Sequence, residues 1–279
     1  MTLVVKRAWT YFLLILLCLW SVIPLIWALS TSLKPNDLIF SYPPKWIPTE
    51  VTLEHYVAVL FSGSFAGSNF GRAIVNTIGV ALITAIITLL VSTLASYSTA
   101  RLKVPGSNGF LIMVLSTTMI PGISILVPLY IFCNRLHIYD TYLALIMTHV
   151  AWRIPFTIWV LHGFFKNIPE EIEEAALIDG CTRLGAFFRI SLPLAKPGLA
   201  ASLVLILVYV WQDFLIGFTL ILSDEKRVAT VALYDYLSQF RIQWGELMAA
   251  TLLAVFPVLA LFLVLQRQFI HGLTGGAVK

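Results

Sequence analysis

The chain has 279 residues, of which 59% are apolar and only 11% charged, against about a quarter charged in a soluble domain. That composition excludes a water-covered globular protein. A formal net charge of +4 is too mild for a nucleic-acid surface and suits the flanks of membrane helices.

The three cysteines, Cys18, Cys133 and Cys181, are too few and too scattered for a disulfide framework or a metal site. No P-loop, His-Glu-x-x-His pair or Gly-x-Ser-x-Gly elbow occurs, so no hydrolytic or nucleotide-binding chemistry is encoded.

At the N-terminus, Lys6 and Arg7 precede an apolar run from Ala8 to Leu29. That run exceeds the 7–15 residues of a cleaved signal core, so it reads as a retained first span. A hydrocarbon core needs about 20 apolar residues per helix. Segments 9–31, 73–99, 109–133, 141–164, 198–222 and 246–268 meet that length. The expectation is an all-α membrane protein with six transmembrane helices in a single domain, 1–279.

The third and sixth spans carry interior prolines, Pro121, Pro128 and Pro257. Such prolines are either tolerated kinks or marks of helices that face a partner or a pathway. The loop 32–72 opens irregularly with SYPPKWIP. It then offers Thr52 as an N-cap and Glu54 in a first turn, with Leu53, Tyr56, Val57 and Leu60 on one face. This predicts a short amphipathic helix on the outer surface.

Six spans place both termini on one side. With cytoplasmic termini that side carries ten Lys and Arg residues, Lys103 and Arg101 among them, against seven on the other, which include Lys34 and Arg241. The bias has the sign expected for cytoplasmic ends.

The loop 165–197 departs from the apolar pattern: IPEEIEEAALIDGCTRLGAFFRISLPLAKPG. Asn167, three residues before Glu170, has capping-box spacing with Pro169 tolerated in the first turn. Four glutamates near the helix start oppose its positive dipole end. The other side presents Ile172, Ala175, Ala176 and Leu177. Gly180 suits a left-handed C-cap, and Leu184, Phe187 and Phe188 follow in a second amphipathic stretch that Pro193 ends. The prediction is two short helices joined at a glycine, with a small-residue face open to close backbone approach. By composition alone the same stretch also fits an amphipathic connector lying on the membrane.

Glu174, Ala175, Ala176, Gly180, Ile190, Leu192 and Pro193 fit the pattern E-A-A-x3-G-x9-I-x-L-P at every position. This resembles the EAA loop of ABC-importer permeases. RLKVPG, MIPGISILVPLY, GFFKNIPEEIEEAALIDG, WQDFL and QRQFIHGLTGGAVK are similar to the MalG-type permeases of carbohydrate importers, so the resemblance covers nearly the whole chain.

The resemblance implies a type I ABC-importer permease fold with a cytoplasmic two-helix EAA loop, in the inner membrane of a prokaryote. The implied partners are a second homologous six-span permease forming a heterodimer, two cytoplasmic ATPase subunits, an extracytoplasmic sugar-binding protein and membrane lipid, with no nucleic acid. The chain itself would bind no cofactor, with ATP and magnesium on the ATPases. Glu174 would face a basic ATPase residue, Ala175 and Ala176 would allow close packing and Gly180 would make the turn, with Ile190 and Pro193 completing the element.

Ionisable residues inside spans are functional candidates by default. Arg153 in span four and Asp213 in span five lie at similar depths, which fits either an ion pair or a path that reads sugar hydroxyls. Arg153 stands where the family resemblance leads one to expect an uncharged residue. Trp152, Trp211 and Gln212 flank them; tryptophan faces can stack on sugar rings, and they also serve as packing and interface anchors.

The EAA loop is shared by permeases for amino acids, peptides and anions, so a non-sugar cargo is the alternative. A proton-coupled transporter or intramembrane enzyme would want chains of acids or histidines across several spans. His149 and His162 share only span four. The polar tail GLTGGAVK reads either as an ATPase contact or as a frayed end.

Overall fold

The computed structural model describes residues 2–61, 69–102, 104–237 and 242–274. Lys103, Arg241 and the last five residues of the tail therefore lie outside the described residues. By Cα proximity the chain forms two compact units, Met1–Ile74 with Val231–Pro257, and Val75–Thr230 with Val258–Lys279.

In the first unit, α1 spans Thr2–Ser32. Its apolar side chains from Trp9 to Ile26 remain largely exposed, as a helix solvated by lipid tails requires. The segment after α1 then folds back. Thr52 Oγ1 accepts from the Glu54 amide at 3.2 Å and starts α2, Glu54–Phe61.

The helix expected here is present, but its buried face differs. His55 and Val59 turn inward, and Leu53 and Val57 stay exposed. A polar attachment sets that phase. His55 Nε2 bonds the Lys34 carbonyl at 2.9 Å, and the Tyr56 hydroxyl meets Ser32 Oγ at 2.8 Å. Lys34 Nζ donates to the Lys45 carbonyl at 2.5 Å and lies 4.8 Å from the Trp27 ring centre. Burial pushes its pKa down.

The second unit holds most of α3, Phe70–Arg101. It also contains α4, Ser107–Ser116, and α5, Gly122–Arg135. The long helix α6 covers Tyr142–Lys166. Among the described residues four helices are long and apolar enough to cross a bilayer, the ones at Lys6–Ser32, Phe70–Arg101, Tyr142–Lys166 and Trp244–Leu263. Two bent pairs raise the number to as many as six.

The first pair, Ser107–Met119 with Gly122–Arg135, turns by 92°. The turn falls at Pro121, which has ψ 124 and removes the amide that a continuous helix needs. Pro128 and Pro257 sit inside helices that continue through them.

The remaining elements are α7, Glu170–Ile178, α8, Arg183–Ala186, and α9, Leu192–Leu194, after a π-helical turn at Phe187–Ser191. Then come α10, Lys196–Gln212, α11, Leu215–Leu220, α12, Ala229–Asp235, and α13, Trp244–Thr274. The second bent pair, Arg183–Leu194 with Lys196–Gln212, turns by 69°, two residues after Pro193. Helix therefore continues one residue past Pro193, which was expected to end it.

α10 packs on α6, and its buried Gly198 lies against Phe164 of that helix, a small residue that lets two membrane helices approach closely. The Phe164 ring occupies the place a side chain at Gly198 would take.

Candidate functional site

The loop 165–197 stands on an aromatic base. Tyr97, Leu161, Phe165, Ile168, Phe187 and Ala195 form one buried cluster, in which Tyr97 meets Phe187 at 4.6 Å and Phe165 at 5.6 Å between ring centres. Burying these residues fixes where α6 ends and where the loop begins.

That anchoring overrides the expected capping box. α6 runs to Lys166, and Asn167 closes it, donating its amide to the Gly163 carbonyl at 3.2 Å. Ile168 is drawn into the cluster, and Pro169 takes the N-cap position of α7 with no side-chain cap.

At the other end the glycine does what its position requires. Gly180 has φ +86. Its amide bonds the Leu177 carbonyl at 3.1 Å and that of Cys181 bonds the Ala176 carbonyl at 2.9 Å, a Schellman closure. Thr182 then caps α8 by accepting from the Gly185 amide at 3.1 Å.

The motif residues divide by exposure. Glu174, Ala175, Gly180 and Pro193 are exposed, and Ala176 and Ile190 are half-buried. Around them Ile172, Ile178, Leu184, Phe188 and Leu194 are exposed apolar side chains, Ile178 at 86%.

Glu173, the neighbour of Glu174, turns inward. It accepts hydrogen bonds from the Ser191 hydroxyl and, at 3.4 Å, from the Tyr97 hydroxyl. Arg101 Nε lies 3.5 Å from its Oε1, an ion pair without hydrogen-bond alignment. The Arg101 guanidinium donates to the Ile168 carbonyl.

Sequence reasoning missed this cluster, having counted Arg101 as a flank charge and Glu173 as one of four dipole-facing acids. The available signal was an arginine and a glutamate at opposite ends of segments that must both terminate at the same membrane face.

The five residues proposed for a path are spread over different environments. Trp152, with Thr117, Thr118, Thr148 and Pro155, lines a cavity of about 240 Å³ beside the break in the third span. Arg153 sets its guanidinium 4.3 Å from the Tyr209 ring centre.

Asp213 ends α10 and uses Oδ2 to accept from the Ile216 and Gly217 amides at 3.1 and 3.2 Å. His149 Nε2 is 3.9 Å from the same oxygen. Trp211 is half-buried and Gln212 exposed at the end of α10.

The family model for the inner membrane component of binding-protein-dependent transport systems matches residues 92–274. The chain belongs to this family. The match runs from the C-terminal part of α3 through the whole 165–197 loop to the end of α13.

Among its relatives is the trehalose transport system permease protein SugB of Mycobacterium tuberculosis, 34% identical over 93% of each chain. The trehalose/maltose transport system permease protein MalG of Thermococcus litoralis is 31% identical over 99% of this chain and 98% of its own. A crystal structure of a bacterial ABC transporter that imports the acidic polysaccharide alginate superposes with TM-score 0.80 at 20% identity, covering 94% of this permease and 97% of that chain. The permease therefore has the type I ABC-importer fold and is a multi-pass inner-membrane protein.

Proposed function

We propose that this permease carries a sugar, an oligosaccharide or a related glycoside, delivered by an extracytoplasmic binding protein. The observation that carries the sugar reading is the set of relatives whose names specify trehalose, maltose and diacetylchitobiose transport, while the exposed, glycine-turned EAA element supports the importer assembly and says nothing of the cargo. A second six-span permease completes the path as a heterodimer, and two cytoplasmic ATPases dock on the loop and supply ATP and magnesium. The chain itself holds neither, and both its termini face the cytoplasm.

Glu174 would meet a basic residue of the ATPase. Ala175 and Ala176 would let its backbone come close, and Ile178, Leu184 and Phe188 supply apolar area of the kind that marks a partner surface. Arg153 and Trp152 are the residues best placed to sense cargo, Trp152 because it lines the cavity at the helix break, where unwound backbone serves transport sites.

Ligand screening of the cognate binding protein tests the cargo. Binding of a di- or oligosaccharide is expected; binding of amino acids, peptides or phosphate with no affinity for sugars would overturn the sugar assignment.

A further inference from the structure

We infer that Glu173 is a positioning residue for energy transfer, clamping the EAA helix to the inner end of α3 so that force received at the Glu174 face reaches the second span. This rests on the docking role proposed for the loop and adds an internal counterpart to it.

No residue of α7 is buried, and an isolated nine-residue helix is marginal in water. Its N-terminus has no side-chain cap, so apolar burial does not fix its place. Polar contacts do. One carboxylate joins α7 to Tyr97 and Arg101 of α3 and to Ser191 in the π-helical turn. The same arginine holds the Ile168 carbonyl between α6 and α7.

Both ends of the clamp are shielded, the side chains of Arg101 and Glu173 being 3% and 14% exposed. Glu174, one residue along and about 100° around the helix, faces outward. A cleft of about 260 Å³ lined by Arg101, Glu170, Glu173, Glu174 and Arg183 brings the two roles to one surface. The outer carboxylate takes the load and the inner one transmits it.

The test uses the whole transporter reconstituted in liposomes, with Glu173→Gln and Ser191→Ala compared with the unsubstituted protein. Three readouts are taken: ATPase co-purification, basal ATP hydrolysis, and its stimulation by loaded binding protein together with uptake.

For Glu173→Gln, co-purification and basal hydrolysis should stay near normal while stimulation and uptake fall about tenfold or more, the loss expected when a coupling free energy is removed. Ser191→Ala should give the same pattern more weakly.

Normal stimulation and uptake in Glu173→Gln would overturn the clamp, as would losses that merely follow lost co-purification in both variants. If Glu173→Gln does not assemble, Ser191→Ala decides, and unaltered stimulation in it overturns the clamp. An unsubstituted transporter that shows no stimulation by any binding protein overturns the importer reading instead, and the clamp with it.

Discussion

Gly180 and Gly198 are required for different reasons, and their substitutions separate those reasons. Gly180 sits at φ +86 with open space where a side chain would go, so Gly180→Ala meets only the left-handed backbone cost of about 1–2 kcal/mol. Gly198 lies against the Phe164 ring, so Gly198→Ala overpacks the α6–α10 contact at a cost of about 1–3 kcal/mol. Thermal unfolding of the purified complex should show both losses. A compensating Phe164→Leu should recover stability for Gly198→Ala and leave Gly180→Ala where it was.

The role of Gly180 was legible from sequence because a helix that must stop and turn at once wants a residue free of the left-handed penalty. Glu173 was not legible beside Glu174. Four glutamates at the start of one helix differ only in which side faces α3, and that phase depends on burying Ile168 and Phe187 in the same cluster. Asp213 was read as a charge within an apolar run. It turned out to cap the Ile216 and Gly217 amides, because α10 ends at Gln212, short of the expected boundary.

At the level of elements, Asp140 ties the connection between α5 and α6 to the segment after α11. Its carboxylate accepts from the Leu222 and Ser223 amides, both at 3.0 Å, from the Ser223 hydroxyl, and from Lys226 Nζ at 3.1 Å. Burial pushes its carboxyl up. The bonds from Ser223, Leu222 and Lys226 outweigh that and hold it well below the usual carboxylate range.

A carboxyl depressed on folding adds stability that is complete above its unfolded pKa of about 3.9 and declines as pH falls below it. Asp140→Asn should therefore lower the unfolding temperature at pH 7, and its gap to the unsubstituted protein should narrow as pH drops below about 4. A constant gap across that range would remove the charge from the account. Partners more than 80 positions away in sequence made this tie invisible before the fold was known, whereas the six apolar segments were plain from length alone.

Across the whole molecule, the surfaces proposed for energy entry and for cargo choice occupy different places. The EAA element lies on exposed surface over an aromatic base, while Trp152 and the cavity at the Pro121 break sit within the membrane-spanning helices. Hydropathy and the motif exposed the first because the proposed docking needs a fixed spacing on one helix face. The second depends on where a span breaks, and a proline in sequence does not say whether its helix will bend by 92° or continue, as α5 does through Pro128.

The division makes one measurement decisive: co-purification of the ATPase subunits with a permease carrying Glu174→Lys, alongside uptake in liposomes. Reversing that exposed charge should weaken ATPase retention by at least about tenfold and abolish uptake, while the permease pair and its capture of loaded binding protein remain intact. Normal ATPase retention with normal uptake would contradict the assignment of this loop as the point where ATP-driven force enters.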